Sequence, residues 1–261
     1  HNVQLFSSNF TLYGDLSKRV MSTIKQEVKA MEIYSIDEAF MDFSGESNPL
    51  EKGITIKKKV QQHIGIPISI GIAPTKTLCK VAGLIAKKYT RSGVFVLTDT
   101  AIIERALKWL PVENLWGVGR RHARKLNDVG IKTAYDLCRA DDSWIRRRLS
   151  VVGLRLVKEL RGTLCFTLKK RASKKQNICT SRSFSKSISN IEELKEAVSN
   201  HANSCAYKLR KQQSCASRIS VFIHTDIFRP TDKQYRGFTS LVLDTPSNDS
   251  IELVRFALIC L

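Results

Sequence analysis

The stretch YSIDEAF, residues 34–40, places two carboxylates, Asp37 and Glu38, side by side in a run that otherwise has the composition of a β-strand. Successive side chains of a strand point to opposite faces of the sheet, so adjacent carboxylates serve one site only where the chain bends between them. Two interpretations are open at this point. The pair is either a solvated turn between two short strands or half of a metal site held at a bend.

The charge of the chain favours a polyanionic partner. The 261 residues carry 43 Lys and Arg against 24 Asp and Glu, which gives a formal charge of +19. Such an excess is typical of proteins that bind nucleic acid, with an acidic membrane surface as the second candidate. Residues 1–107 hold 14 basic and 10 acidic residues, residues 108–161 hold 13 and 6, and residues 162–261 hold 16 and 8. The positive charge therefore grows away from the acidic pair.

Several other classes of protein are excluded by the composition. No run approaches the ~18 consecutive apolar residues of a membrane span, and the chain does not open with a signal-peptide pattern. The seven cysteines are scattered without a CxxC pair, which predicts reduced thiols in a cytoplasmic protein and argues against a zinc site. The chain begins with His1 instead of Met, so we expect it to be a fragment of a longer product.

Apolar periodicity predicts a mixed fold at both ends and helices in the middle. Strands such as NVQLFSSNF, IPISIGIA and GVFVL alternate with helices, predicted near 12–30 and 76–88, which indicates a sheet with helices packed on it. From residue 108 the pattern predicts short helices punctuated by glycine. The last segment is mixed again, with strands predicted at 178–184, in RISVFIH and in FTSLVL, and helices near 190–211 and from 248.

The helix predicted at 76–88, which Thr75 is expected to cap, carries a row of lysines. Lys76, Lys80 and Lys87 lie within about 40° of one another on a helical wheel, and the apolar side chains lie on the opposite face. A solvated charged face is one interpretation. The other is a set of ammonium groups that neutralises a triphosphate beside the acidic pair, since lysine binds phosphate as a point charge.

The stretch LWGVGRRHARKL (115–126) places a Gly-x-Gly turn before a helix. It lacks the third glycine and the preceding strand of a dinucleotide-binding fingerprint. The pattern is more typical of a helix–hairpin–helix, whose glycines let backbone N–H groups at the positive end of the next helix approach a DNA phosphate. Arginines at that helix start are unfavourable unless an anion binds there, although an ordinary helix–helix turn remains the alternative. For Trp109, Trp116 and Trp144 a place in the core is favoured over stacking on bases, because each lies beside apolar neighbours.

The acidic pair suits metal-dependent phosphoryl transfer if the backbone turns there. Such transfer requires carboxylates that hold Mg²⁺ ions ~3.5–4 Å apart. Mg²⁺ prefers a few carboxylates together with water and substrate phosphates over an all-protein cage. The neighbouring Asp42 and Glu46 are assigned to structure, because one lies on an apolar strand and the other in a turn.

Taken together, these motifs resemble Y-family (translesion) DNA polymerases and, within them, the UmuC branch. The resemblance runs through essentially the whole chain in order. It is carried by FSSNFTLYGDLSKRVMST, YSIDEAFMDFSG, GIAPTKTLCKVAGLIAKK, LPVENLWGVGRR and NICTSRSF.

The resemblance implies an α+β fold class with three domains. A truncated ferredoxin-like palm is expected over 1–107, and an all-α helix–hairpin–helix thumb over 108–166. A basic linker is expected over 167–177, where five Lys or Arg and no acidic residue indicate a mobile segment near a polyanion. A truncated α/β little-finger domain is expected over 178–261.

The resemblance also implies roles for individual residues. The family's motif SIDE supplies catalytic, metal-binding carboxylates, which match Asp37 and Glu38. The triphosphate-binding lysine matches Lys87, and Lys80 is expected to assist it. The DNA-binding residues are expected in the glycine turn, in the linker and just after it: Gly117, Val118, Gly119, Arg120, Arg121, Lys174, Lys175 and Arg182.

The implied function is error-prone translesion DNA synthesis in the SOS response, with Mg²⁺ as cofactor. A primer 3′-hydroxyl would attack the α-phosphate of a deoxynucleotide opposite a damaged template base. Primer–template DNA and dNTPs are the expected substrates, and UmuD and RecA the expected protein partners. The expected location is the bacterial cytoplasm, in association with the nucleoid and without a membrane.

The sequence also departs from the family pattern. The family's palm opens with a strand that bears another metal-binding Asp, followed by fingers with the aromatic residue that discriminates against ribonucleotides, and this chain begins after both. The last little-finger strand and the downstream clamp-binding segment are also absent. We therefore expect the fragment alone to lack the family activity. The alternatives are a catalytically inactive DNA-binding fragment and the remnant of an interrupted gene.

Overall fold

Two compact units, His1–Ala172 and Ser173–Leu261, make up the chain. Both units contain helices and strands, so the predicted α+β class is confirmed. The computed structural model describes residues 3–4, 6–169, 174–185, 187–229 and 231–261.

The first unit is mainly helical. Most of its helices begin at a side-chain cap, as at Thr75, whose hydroxyl accepts the Leu78 N–H at 3.3 Å as the sequence predicts. A 3₁₀ turn at Val112–Asn114 precedes the shorter helices. The helices are α1 (Phe10–Lys25), α2 (Pro49–Ile64), α3 (Lys76–Tyr89), α4 (Thr100–Trp109), α5 (Arg120–Asn127), α6 (Ala134–Arg139) and α7 (Asp142–Leu160).

Short strands in this unit form two pairs. β1 (Met31–Ile33) and β2 (Ala39–Met41) are antiparallel, with Ile33 opposite Ala39. β3 (Ile70–Ile72) and β4 (Val94–Val96) are parallel, and α3 supplies the crossover that a parallel pair requires. Gly71 on β3 allows α3 to pack closely, because a Cβ there would overlap the backbone of α3.

Two apolar clusters hold the first unit together. The smaller one is built on α1, α2, β3 and β4 and includes Ile56 and Val60, both completely buried. The larger cluster runs from α3 through α7 and includes Leu78, Leu110 and Leu126. It crosses the predicted boundary between residues 107 and 108, so the segments predicted as palm and thumb share one core. The predicted domain bounds stay a prediction.

A buried carboxylate joins the end of α7 to the start of α3. Glu159 is completely inaccessible to solvent. Its Oε2 accepts the N–H of Thr77 at 3.0 Å and the Thr77 hydroxyl at 3.2 Å, and its Oε1 accepts the N–H groups of Cys165 and Phe166 at 3.0 and 2.8 Å. These bonds offset the cost of removing a carboxylate from water. They also hold the segment that follows α7 against α3.

The second unit packs two helices against a β-hairpin. Its helices are α8 (Ile191–Gln212) and α9 (Ser250–Ile259), and its strands are β5 (Ala216–His224) and β6 (Arg236–Ser247). The strands are antiparallel, with Phe222 opposite Phe238, and the core between sheet and helices includes Leu209, Leu243 and Leu253. These elements agree with the predicted helices and with the two later predicted strands.

Three details of the sequence-based prediction are wrong. Residues 178–184 are not a strand, and Ile178 packs on the core of the second unit without its backbone joining β5 or β6. The N-terminal strand is likewise not formed at residues 3–4 or 6–9, the described part of that stretch. Trp109 does not lie in the core: it is 40% exposed and packs edge-on against the exposed Tyr89. It is the last residue of α4, whose buried residues are Ala106 and Leu107.

The cysteines carry free thiols. Burial raises the pKa of the Cys79 thiol to about 11, and burial also raises the pKa of the Cys138 thiol to about 11. In the ranges that the structure describes, helices long and apolar enough to cross a membrane are not found.

Candidate active site

The backbone bends at the acidic pair. Between β1 and β2, residues 35–37 form a bend, and Glu38 C=O accepts the N–H groups of Tyr34 and Ser35 at 2.9 and 3.1 Å. Asp37 Oδ1 accepts the Ser35 hydroxyl at 2.5 Å. The hairpin loop therefore interrupts the strand alternation between Asp37 and Glu38. Adjacent carboxylates can serve one site only where the chain bends in this way. The metal-binding role itself stays a prediction.

Glu38 faces α3 through an ion pair. The Lys80 ammonium donates to Glu38 Oε1, with Lys80 one turn into α3. The Glu38 side chain remains 45% exposed, whereas the Lys80 side chain is 20% exposed. Lys80 of α3 therefore lies beside the acidic pair in the structure.

Lys76, Lys80 and Lys87 of α3 do not form one solvated row. Lys76 is buried and its ammonium donates to Glu32 on β1, so the expectation of a solvated face is wrong at this position. At this end of α3 the Lys76 ammonium meets Glu32 and the Phe40 ring, whose centroid is 4.8 Å away, instead of water. Lys87, in the last turn of α3, is exposed. The nucleotide-binding roles of Lys87 and Lys80 stay predictions.

Glu32 is a second buried carboxylate near the site. Its Oε2 also accepts the N–H of Lys169 at 2.7 Å. Burial alone would raise the pKa of the Glu32 carboxyl, but the hydrogen bonds from the Lys169 backbone and the Lys76 ammonium outweigh it and hold that pKa below its usual value. The start of the predicted basic linker is thus fixed to β1.

Binding of Mg²⁺ at this hairpin depends on the ligand atoms that are available there. Asp37 and Glu38 present exposed carboxylate oxygens, which Mg²⁺ takes together with water and substrate phosphates. Within the described ranges, His, Cys, Asp and Glu side chains do not come together in any group of three suited to a metal. Asp37 and Glu38 therefore supply the type of ligand that Mg²⁺ takes, and its other ligands would be water and phosphate oxygens.

The glycine turn precedes α5 as predicted. Gly117 has a φ of +88°, which a residue with a side chain rarely adopts, and a Cβ there would lie 2.5 Å from Leu156 Cδ1. Gly119 is the N-cap of α5 and offers no side-chain acceptor, and the first turn carries no acidic residue. The N–H groups at the start of α5 therefore face solvent without a capping side chain, beside the exposed Arg120 and Arg121.

Val118, between the glycines, donates its N–H to Leu115 C=O at 3.0 Å.

Sequence reasoning missed an aromatic cluster that connects the hairpin to this turn. Tyr34, Phe40 and Trp116 meet edge-on, with ring centroids 5.7–5.9 Å apart, and Phe166 packs on Trp116 at 6.1 Å. They line a cleft of about 250 Å³ together with Lys76 and other residues. The available signal was the pair of aromatic residues that flank SIDEA, whereas the approach of Trp116 depends on the tertiary fold.

The predicted DNA-binding residues of the second unit lie on its surface. Lys174 and Lys175 are exposed and bonded to the end of α8: the Lys174 ammonium donates to Gln213 C=O at 3.0 Å, and the Lys175 N–H donates to the Gln212 side chain at 2.9 Å. Arg182 is exposed. Linker residues 170–173 lie outside the described residues.

The exposed face of the β5–β6 hairpin was not predicted as functional. Its residues lie opposite one another in the register and combine arginines with aromatic side chains. Phe222 and Phe238 are 41% and 69% exposed. The alternation in RISVFIH contained this signal, because one set of side chains in that strand is apolar and the other includes a cation and aromatic rings. The face consists of Arg218, Ser220, Phe222, His224, Arg236, Phe238, Ser240 and Val242.

Two protein-family models match parts of the chain. The model of the impB/mucB/samB family matches residues 1–83, and the model of the impB/mucB/samB family C-terminal domain matches residues 175–261. The chain belongs to the impB/mucB/samB family. The resemblance to the UmuC branch is therefore confirmed.

Curated relatives align with most or nearly all of the chain. Protein UmuC of Salmonella typhimurium (strain LT2) is 41% identical over 264 residues, covering 99% of this chain and 63% of UmuC. Protein MucB of Escherichia coli is 37% identical over 261 residues, covering 98% of this chain and 62% of MucB. DNA polymerase IV 1 of Bacillus subtilis (strain 168) is 30% identical, covering 82% of this chain and 52% of that protein. The chain spans less than two thirds of these curated relatives.

Solved structures show the fold that this impB/mucB/samB member adopts. A Y-family DNA polymerase chimera of Dbh and Dpo4 has a TM-score of 0.69 at 21% identity, covering 95% of this chain and 72% of the chimera. A DinB family error-prone DNA polymerase from Sulfolobus solfataricus has a TM-score of 0.55 at 20% identity, covering 98% and 76%. The chain thus has the fold of Y-family DNA polymerases.

Proposed function

We propose that the chain forms part of an error-prone translesion DNA polymerase, in which it supplies two metal-binding carboxylates, a nucleotide-binding helix and a DNA-binding surface. The observation that supports this most directly is the hairpin bend at Asp37 and Glu38, where Glu38 pairs with Lys80 of α3, in a member of this family. The whole polymerase would add deoxynucleotides to a primer opposite damaged template bases.

The chemistry follows from the residues around the bend. Asp37 and Glu38 would hold Mg²⁺, which when bound would activate the primer 3′-hydroxyl and neutralise charge on the phosphates. Lys87, exposed two turns beyond Lys80 on α3, would bind the triphosphate as a point charge. The 3′-hydroxyl would release its proton to solvent and its oxygen would form a bond to the α-phosphorus, while the bond to pyrophosphate breaks and pyrophosphate leaves with the electron pair.

The glycine turn would hold one DNA strand by its phosphates. The N–H groups at the start of α5 point toward solvent, and the helix dipole adds positive potential there. Arg120 and Arg121 add two cations at the same point, which is unfavourable for an isolated helix and favourable once a phosphate binds. The turn would therefore bind the DNA backbone independently of the base sequence.

The second unit would add a further DNA-binding surface. The β5–β6 face presents Arg218 and Arg236 beside Phe222 and Phe238, a combination of cations and stacking surfaces suited to nucleic acid. Lys174, Lys175 and Arg182 extend the positive charge along the surface of this unit.

In a bacterial cell, this function belongs to the SOS response and to the nucleoid. UmuD and RecA are the protein partners that we infer from the family resemblance. Binding of UmuD or RecA to the whole polymerase tests this inference.

A catalytically inactive DNA-binding fragment is the second candidate. It is favoured by the ion pair of Glu38 with Lys80 and by the lack of a third ligand around the acidic pair among the described residues. It shares the DNA-binding surfaces of the first proposal and differs only at the carboxylates.

Single-turnover primer extension opposite an abasic template base distinguishes the two candidates. The chain would be used in excess with Mg²⁺, beside Asp37→Asn/Glu38→Gln, and primer–template binding would be measured for both proteins. Extension by the wild type that Asp37→Asn/Glu38→Gln lacks supports the polymerase and overturns the expectation that this fragment alone lacks the family activity. Tight, salt-sensitive binding without extension supports the inactive fragment, and an absence of both extension and saturable binding overturns both candidates.

A further inference from the structure

Lys80 is surrounded by aromatic rings on the side away from the helix. Its ammonium lies 5.1 Å from the ring centroid of Tyr34, 5.7 Å from that of Phe40 and 5.8 Å from that of Trp116. Each distance is within the range of a cation–π interaction. The same ammonium donates to Glu38, so its fourth neighbour is the carboxylate of the hairpin.

The three rings fix one another in place. Trp116 Nε1 donates to the Tyr34 hydroxyl at 3.3 Å, and Phe166 supports the outer side of Trp116. Tyr34 and Phe40 flank the hairpin loop, and Trp116 immediately precedes the glycine turn. The cage of Tyr34, Phe40 and Trp116 thus joins the acidic hairpin to the turn at the start of α5.

This environment differs from that expected of a phosphate ligand. A lysine that binds a triphosphate must present its ammonium to an open approach, as the exposed Lys87 does about 10 Å farther along α3. The Lys80 side chain is 20% exposed, and its polar end lies between the rings and Glu38. Its geometry serves the carboxylate rather than the nucleotide.

We propose that Lys80 is a positioning residue for Glu38: a counter-cation, held by the aromatic cage, that occupies this carboxylate until a divalent ion displaces it. The inference rests on the proposed metal-binding role of the acidic pair. In the absence of metal, Lys80 keeps Glu38 in one orientation at the hairpin bend. A divalent ion, which brings two charges to oxygen ligands, competes with the single charge of the ammonium.

Terbium luminescence tests this competition without relying on catalysis. Tb³⁺ binds carboxylate oxygens and emits when a nearby tryptophan is excited, and Trp116 lies against the Lys80 cage. Trp109→Phe and Trp144→Phe would be introduced first, so that Trp116 is the remaining tryptophan of the 261-residue chain. Titrations then give the Tb³⁺ affinity of each further variant.

Lys80→Met removes the charge while keeping an unbranched side chain that packs well against aromatic rings. We expect it to raise the Tb³⁺ affinity about three- to fivefold, the size of a partly exposed ion pair. Lys80→Arg keeps the charge and should retain the parent affinity. Lys88→Met, an exposed change on the same helix, serves as the matched control and should also leave the affinity unchanged.

An unchanged or weaker Tb³⁺ affinity in Lys80→Met would overturn the inference. Lys80→Gln provides a second uncharged variant, judged by the same criterion, if Lys80→Met does not fold. Glu38→Gln separates this inference from the proposed function. If Glu38→Gln leaves Tb³⁺ binding intact, the metal-binding role of the acidic pair fails; if it weakens binding while Lys80→Met does not strengthen it, only the role of Lys80 fails.

Discussion

The completely buried carboxylate of Glu159 accepts the backbone N–H of Phe166 at 2.8 Å, and this bond holds the segment after α7 beneath the aromatic cluster. Phe166 in turn packs on Trp116, which is one of the three rings of the aromatic cage around Lys80. The acidic hairpin and the glycine turn are therefore supported by one buried glutamate at the end of a distant helix.

Glu159→Gln should destabilise the first unit. One side-chain oxygen becomes an NH₂ group, which cannot accept the two hydrogen bonds that Thr77 or the 165–166 segment donates. We expect a loss of about 2–3 kcal/mol in the free energy of unfolding, the cost of leaving buried donors without acceptors. Urea denaturation measures it, with the exposed Glu46→Gln as the control. A loss no larger than that of the control would contradict the role given to Glu159.

The stability of the protein should depend on pH through Glu32. Its folded-state pKa lies below the ordinary value of 4.5, so ionised Glu32 contributes stability above that pH. This contribution is lost as the pH falls through the lower, folded-state pKa. Glu32→Gln should therefore be less stable than the wild type at pH 7, and the difference should shrink on acidification below about pH 4.5. A difference that stays constant from pH 7 to pH 3 in urea denaturation would refute this assignment.

The two glycines of the turn should respond differently to alanine. Gly117→Ala places a side chain at a φ of +88° and against Leu156, which should cost about 1–3 kcal/mol of stability. Gly119→Ala meets no atom within 4 Å at an ordinary φ of −80°, so the fold should tolerate it. If the turn binds DNA, Gly119→Ala should instead weaken primer–template binding, because its methyl group obstructs the approach of a phosphate. Thermal unfolding and fluorescence anisotropy together separate these effects; equal destabilisation by both changes would argue against the geometry of the turn.

Local patterns in the sequence predicted where the helix, the turn and the bend of the candidate site begin. Thr75 marks the start of α3, the glycines mark the turn before α5, and the SIDEA stretch marks a bend between two strands, because each depends on residues close in sequence. The family resemblance gave the α+β class and the order of the segments. These features require no knowledge of which distant residues meet.

The partners of the charged residues could not be predicted. The helical wheel placed Lys76 and Lys80 on a polar face, but it could not show that Glu32 and Glu38 of the hairpin lie against that face. Such contacts depend on how β1 and α3 pack. The strand predicted at 178–184 failed for a related reason, since β propensity alone does not provide a strand to pair with.

Arg120 and Arg121 should account for a measurable part of the salt dependence of DNA binding. If each neutralises one phosphate, Arg120→Ala/Arg121→Ala should make the slope of log K against log[salt] shallower by about 2. Lys58→Ala, an exposed change on α2, should leave the slope unchanged. The measurement is a salt series of anisotropy titrations with a labelled primer–template. A slope that the double variant shares with the wild type would exclude the turn from the DNA interface.

The most direct test of the central claim measures nucleotide binding at the acidic pair without requiring catalysis. A dideoxy-terminated primer–template is bound to the chain, and the dNTP complementary to the next template base is titrated with and without Mg²⁺. We predict that Mg²⁺ tightens dNTP binding by the wild type, that Asp37→Asn/Glu38→Gln loses this gain while binding the duplex equally well, and that Lys87→Ala weakens dNTP binding more than duplex binding. Equal Mg²⁺-dependent tightening in the wild type and the Asp37→Asn/Glu38→Gln variant would contradict the claim that this hairpin holds the metal.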